Sequence, residues 1–319
     1  MANFVVQYPY DKEVIYMIPF KTPDIENKAA YDAFLRNCGQ RGCEYNFANL
    51  YLWGRQRLAI LGDTLVFFSQ FNRKSVYLFP LSHGDLGAAV AAIMEDAKKR
   101  GIPCRLTGLL QSDCERLEQL FPGQFRFHTD RNSFDYIYAI GELAELKGRK
   151  FQRKRNHLNR FRQNHPGYTV EPITDENTPE VVQLLDKWYA DRLLSDPLAD
   201  FIMEQKAIYK ALRHREELGI EGLVIRYQGQ LLAMTMGSML SANSFDVQFE
   251  KALESADGAY PAICWEFSRY LQTKYPDLQW LNREDDLGIE GLRKAKLAYC
   301  PDHMIEKRWA CLLEDGCDY

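Results

Sequence analysis

A mixed α/β protein of two domains is what this sequence predicts, and three observations predict it. At 319 residues the chain exceeds the length at which a single hydrophobic core usually stops growing. Apolar patterns of helical period and of period two alternate along the whole chain. Apolar residues at 46% and charged residues at 26% suit packed domains, which excludes long disordered stretches.

The elements follow in order. Residues 14–20 alternate and read as a strand, and Asp24 is placed to cap a helix reaching Leu35. Residues 44–53 carry Phe47, Leu50, Tyr51 and Trp53 near helical spacing, a packing pattern more than a substrate-binding one. Runs at 58–61 and 65–71 flank Gly62-Asp63 and form a hairpin. A strand at 76–81, a helix at 85–99, a strand at 104–110, a helical 117–121 and a strand at 134–140 complete the first half. The second half reads as a strand at 168–173, helices at 180–194 and 201–212, and strands at 222–226, 231–239 and 245–250. A helix with Pro261 in its first turn runs to Tyr275. A strand at 278–281, a helix at 289–299 and one final strand at 304–313 end the chain.

No apolar run approaches the roughly 20 residues a membrane helix needs, and the N-terminus lacks a charged segment followed by an apolar one. Eight scattered cysteines form no C-x-x-C pair, and Cys38 and Cys43 read as reduced thiols. A cytoplasmic location is expected. The six histidines stand singly, so no spacing supports a triad or a metal site, and Cys264 reads as a buried helix residue.

Charge is concentrated between the halves. Residues 147–162 hold eight cations and no acid, which leaves −12 on the rest of a chain whose net charge is −4. The domains are therefore expected at 1–146 and 167–319, with a basic linker helix at 147–166. Phe151, Leu158 and Phe161 form its narrow apolar stripe. Arg149, Lys150, Arg153, Lys154, Arg155, Asn156 and Arg160 are then candidates for binding tRNA or another polyanion, or for docking on acidic surfaces of the protein itself.

Four segments carry a family resemblance: 43–53, 147–161, Phe249-Glu250-Lys251-Ala252 with Gly258-Ala259-Tyr260, and above all Asn282 to Lys296. They resemble the C-terminal domain of the phosphatidylglycerol lysyltransferases, which is related to the Fem-type aminoacyl and peptidyl transferases. The resemblance implies two tandem GNAT-like domains, each a mixed sheet flanked by helices, and transfer of an aminoacyl group from charged tRNA. It spans nearly the whole chain, but the multi-helix membrane region of the lipid-modifying enzymes has no counterpart in it. The acceptor is thus open between a small molecule and a lipid head group.

Within that frame the candidate site residues follow. Period two places Asp246, Gln248 and Glu250 on one face of a central strand, where Glu250 or Asp246 is the candidate general base. Gln248, Lys251, Tyr260, Asn282, Arg283, Glu284, Lys294 and Lys296 are candidates for substrate binding. Arg283 is expected to pair with nearby carboxylates, and Lys294 or Lys296 to meet a phosphate. Ile289, Leu292 and Leu297 are expected to face the core. Acetyl-CoA users of the GNAT fold carry a glycine-rich loop before the helix that begins here at Gly258-Ala259-Tyr260-Pro261. One glycine and a proline disfavour acetyl-CoA as the donor. Two rivals stand beside an aminoacyl transferase: a non-catalytic protein binding tRNA or an anionic membrane, and an N-acyltransferase using acyl-CoA.

Overall fold

The computed structural model describes residues 17–35, 39, 41–71, 74–195 and 201–316. Helices α1 (Lys28–Leu35) and α2 (Phe47–Trp53) precede β1 (Gln56–Leu61), β2 (Thr64–Phe71) and β3 (Lys74–Ser82). Then come α3 (Leu86–Arg100), β4 (Arg105–Leu109), α4 (Gln111–Leu120) and β5 (Phe125–Thr129). Next are β6 (Asp135–Ala139), α5 (Ile140–Glu145), α6 (Gln152–Asn164), β7 (Thr169–Pro172), α7 (Thr178–Ser195), α8 (Ile202–Arg213) and α9 (Arg215–Leu218). A meander of β8 (Ile220–Tyr227), β9 (Gln230–Met239) and β10 (Ser244–Ala252) leads into α10 (Ala259–Lys274). The chain ends with β11 (Trp280–Asn282), α11 (Glu290–Leu297), β12 (His303–Ile305) and β13 (Arg308–Leu312).

Local chemistry accounts for many of these boundaries. The Asp85 carboxylate accepts from the Ala88 N–H at 3.0 Å and starts α3. Asp24 also caps, but what it caps is a 3-10 turn at Ile25–Asn27 leading into α1. Of the strand expected at 14–20, the first three residues lie outside the described ones. Residues 17–20 are not a strand, and Lys21 makes an isolated bridge to Leu58. Strand β5 was not expected, because five residues with Arg126 and His128 among them resemble a loop.

Two sheets result, ordered β1-β2-β3-β4-β13-β5 and β12-β6-β11-β10-β9-β8-β7. The single strand expected at 304–313 is two strands, and they belong to different sheets. The chain accordingly divides into Met1–Phe134 with Ile305–Tyr319, and Asp135–Met304. This corrects the expected boundaries at 146 and 167. Strand β6 pairs with β11, Trp280 opposite Ala139, and so joins the second unit. Helix α6 is no free linker, since Phe151, Leu158 and Phe161 share one buried core with Phe267 and Leu271 of α10. Strand β13 lies between β4 and β5, so the end of the chain completes the first unit. Among the described residues, no helix is long and apolar enough to cross a membrane.

Candidate functional site

In each unit a pair of parallel strands meets over a short stretch and then parts. In the first unit β3 and β4 pair only at Tyr77↔Leu106 and Leu78↔Thr107. The Tyr45 hydroxyl donates to the Phe79 carbonyl at 2.9 Å there, and the fully buried ring fills the split. In the second unit β10 and β11 pair from Ser244↔Trp280 to Asp246↔Asn282 and then part. That opening is spanned by charged side chains: Arg283 Nη2 donates to Glu250 Oε1 at 2.8 Å.

The strand carrying Glu250 is not regular. Val247 opposes Gly237, but Phe249 opposes Met236, so Gln248 is the extra residue of a β-bulge. Beyond the bulge the alternation is inverted: Ala252 shares a buried cluster with Phe245 and Val247. Asp246, Gln248 and Glu250 therefore do not line one face, contrary to the period-two reading. Glu250 turns toward Arg283, while Lys251 turns to α7 and α8, where Glu204 accepts a hydrogen bond from its ammonium at 2.8 Å. Asp246 is fully buried, and Gln248 accepts from Ser238 Oγ at 3.5 Å.

Around the Glu250–Arg283 pair stand Tyr138 and Tyr299, which the sequence did not single out, together with Cys264 and Lys154, which it had read in other roles. Arg283 lies 4.8 Å over the Tyr299 ring and 5.9 Å over that of Tyr138, and donates to Cys264 Sγ at 3.5 Å. Burial opposes the Arg283 charge, yet Glu250 holds the guanidinium protonated well above its usual range. Burial pushes the Cys264 thiol up to about 11, so it is no nucleophile at neutral pH. Lys154 of α6 places its ammonium 3.5 Å from the centre of the Tyr299 ring. Among the described residues it has no ion pair and no hydrogen-bond acceptor, and burial lowers its pKa to about 8. These neighbours come from β6, α6, α10 and the turn after α11, so no local motif could have announced that they meet.

The run from Asn282 to Lys296 is a built turn. Asn282 donates to Asp135 Oδ2 at 2.9 Å and accepts from the Glu284 N–H at 2.7 Å, with Glu284 at φ +57°. Lys296 Nζ donates to the Arg283 and Asp285 carbonyls, so it fixes the turn that presents Arg283. Lys294 pairs with Glu290 on the exposed face of α11. The expected phosphate contacts of these two lysines thus have other partners. Ile289 and Leu297 are also exposed, against expectation.

Asp286 is the anchor of that turn. Its fully buried carboxylate accepts from Arg293 Nε at 2.8 Å, Tyr136 Oη at 2.5 Å and the Gly288 N–H at 2.9 Å. The Arg293 hydrogen bonds hold it well below the usual carboxylate range, against the effect of burial. A depressed carboxylate contributes stability that is present above pH ~4 and lost as pH falls below it. Asp286→Asn is expected to cost on the order of 3 kcal/mol at pH 7. Urea unfolding at pH 7 and pH 3 checks this, and the cost should shrink at the lower pH.

The basic segment is mostly engaged within the second unit. Arg160 pairs with Asp257, Lys150 with Glu142, and Arg155 donates to the Leu146 and Gly148 carbonyls. Asn156 accepts from Gln152. Arg149 and Arg153 are exposed and, among the described residues, have no ion pair. Helix α6 also covers the start of α10. A Cβ on Gly258 would lie 2.6 Å from the His157 carbonyl oxygen and 3.0 Å from Phe161 Cβ. At that helix start the Ala259 N–H is already bonded to the Ala256 carbonyl, and Pro261 has none to offer.

Cysteines 43, 104, 114, 264 and 300 are free, while Cys311 is disulfide-bonded, which its spacing did not signal.

Comparisons with known proteins agree with this architecture. A conserved protein of unknown function from Bacteroides thetaiotaomicron is 38% identical, with a TM-score of 0.87 over 93% of this chain and 100% of that one. L-PGS from Bacillus licheniformis is 17% identical, with a TM-score of 0.66 over 93% and 94% of the two chains. An uncharacterized Mycoplasmoides gallisepticum protein is 24% identical over 179 residues, so the match spans about half of each chain, 55% in both. Residues 35–312 match the family described as phosphatidylglycerol lysyltransferase, C-terminal. The fold is the tandem GNAT-like one, and the chain belongs to the family of the phosphatidylglycerol lysyltransferase C-terminal domain.

Proposed function

We propose that this protein is an acyl or aminoacyl transferase whose cleft lies where β10 and β11 part, with aminoacyl-tRNA rather than acetyl-CoA as donor. The observation that carries the reading is the constellation of Glu250, Arg283 and Lys154 at that opening. A donor with a pyrophosphate needs free N–H groups at the start of the helix after the central strand. Here α6 lies against that start and two of the N–H positions are spent or missing, which favours an ester donor.

The chemistry asked of these groups is modest. The acceptor's nitrogen or oxygen bonds the acyl carbon, and the bond from that carbon to the ribose oxygen breaks. Glu250 takes the proton the acceptor loses, while Arg283 holds the carboxylate in position. The Lys154 ammonium faces the developing oxyanion and supplies a proton to the departing ribose oxygen. Arg149 and Arg153 are the cations left to meet the RNA backbone, and the acceptor is a small amine or hydroxyl compound or a lipid head group.

The test is incubation with charged tRNA and candidate acceptors, in parallel with acetyl-CoA. Lys154→Met is expected to lower transfer by about 100-fold or more. It should also raise stability at pH 7 by about 2 kcal/mol, because an unpaired, partly buried charge is removed. The sign follows from the lowered pKa: the unfolded lysine holds its proton up to about pH 10.5, the folded one to about pH 8. The stability gain should therefore fade between pH 8 and 10.5. Transfer that survives in Lys154→Met, or acetyl transfer that equals aminoacyl transfer, overturns the reading.

A further inference from the structure

One residue beyond Glu250, on the opposite face of β10, the second unit holds a charged side chain inside an aromatic enclosure. The Lys251 ammonium lies 3.9 Å from the centre of the Trp188 ring and 5.9 Å from that of Tyr189. Glu204 Oε1 accepts from it at 2.8 Å, and the other Glu204 oxygen accepts from the Tyr189 hydroxyl at 3.2 Å. Phe201 packs on both rings, with centroids 5.7 and 5.6 Å away. Lys251, Trp188 and Tyr189 are each less than a tenth exposed. The Trp188 indole N–H donates to the Tyr260 hydroxyl at 3.1 Å, which ties this wall to the first turn of α10.

A ring face beside a carboxylate, closed from water, is what recognises an alkylammonium group. In this chain the protein's own lysine already occupies it. We propose that the Trp188–Tyr189–Glu204 enclosure is the side-chain subsite of the cleft and that Lys251 fills it from within. The group transferred therefore carries no positive charge in its side chain. That the enclosure serves the cleft, and that the transferred group is uncharged, rest on the transferase reading above; that the enclosure holds an alkylammonium group does not.

Occupancy can be tested without any transfer assay. Lys251→Ala vacates the enclosure and leaves Glu204 without its cation. n-Butylammonium, which matches the lost stem and head, should then raise the melting temperature of the variant and change Trp188 fluorescence saturably. Its affinity should be at least tenfold higher than for the unaltered protein, and n-butanol should do neither. Adding Glu204→Gln should abolish the effect, and Lys251→Leu, which fills the space without charge, should show none. A folded Lys251→Ala that responds equally to butanol and butylammonium overturns the proposal, as does equal binding by the unaltered protein. Should Lys251→Ala not fold alone, refolding from urea with butylammonium decides the matter, and failure to recover the fold counts against it. In the transfer assay, Lys251→Ala should gain lysyl transfer relative to a neutral aminoacyl group. Butylammonium binding with no transfer of any kind would sink the transferase reading alone. Transfer with unaltered discrimination would sink the specificity claim.

Discussion

Replacing Arg283 with Met is expected to destabilise the protein by on the order of 3–5 kcal/mol and to abolish transfer. The cost arises less from the lost ion pair than from what remains, since Glu250 keeps a carboxylate in a largely buried place with its cation gone. Glu250→Met should cost a similar amount for the mirror-image reason, leaving a guanidinium against the rings of Tyr138 and Tyr299. The double variant Glu250→Met/Arg283→Met removes both charges and fills the space with apolar atoms, so most of the lost stability should return. Activity should not return. Urea unfolding of all four proteins, with the charged-tRNA assay on each, separates the structural contribution from the chemical one. Singles that are both near neutral would show that the pair is not coupled in solution.

Gly258→Ala should be nearly as damaging. Gly258 has φ +85°, a conformation that costs a residue with a Cβ about 1 kcal/mol by itself. The added carbon would also meet the His157 carbonyl oxygen at 2.6 Å, and that oxygen is backbone within α6 and cannot swing aside. Gly54 supplies the control, in the same left-handed region at φ +61° and with nothing within 4 Å of the added carbon. Gly54→Ala is expected to cost about 1 kcal/mol and Gly258→Ala about 3 or more. In a unit of this size that corresponds to a melting temperature lower by roughly 6–12 °C for Gly258→Ala. Because Lys154 rides on α6, transfer should fall with stability at Gly258 and not at Gly54.

Much of the fold was legible because it is written in local pattern. The Gly62-Asp63 hairpin, the helix that follows Asp85 and the proline in the first turn of α10 are decided by residues close in sequence, whose φ/ψ preferences and hydrogen bonds act at short range. The resemblance at Asn282 to Lys296 was legible for the same reason, since Asp286, Gly288 and Arg293 build that turn among themselves. The division into units was not legible. Pairing of β6 with β11, and insertion of β13 between β4 and β5, link residues far apart in sequence, and an apolar strand gives no sign of which sheet it will join.

The basic segment shows the boundary between the two kinds of information most clearly. Its sequence alone determined a helix with one apolar stripe and eight cations lacking acids within the segment. Only the tertiary structure decided what those cations do. Folding brings Glu142 and Asp257 to two of them, carbonyls to Arg155, and to Lys154 a tyrosine ring but, among the described residues, no paired carboxylate. Likewise the sequence supplied Glu250 and Lys251 as neighbours on opposite faces, and a single extra residue in the strand decided which of them meets Arg283 and which meets Glu204. The physical reason is common to both cases. A side chain's charge is a property of the residue, but its partners and its exposure to water are properties of whatever the fold packs against it.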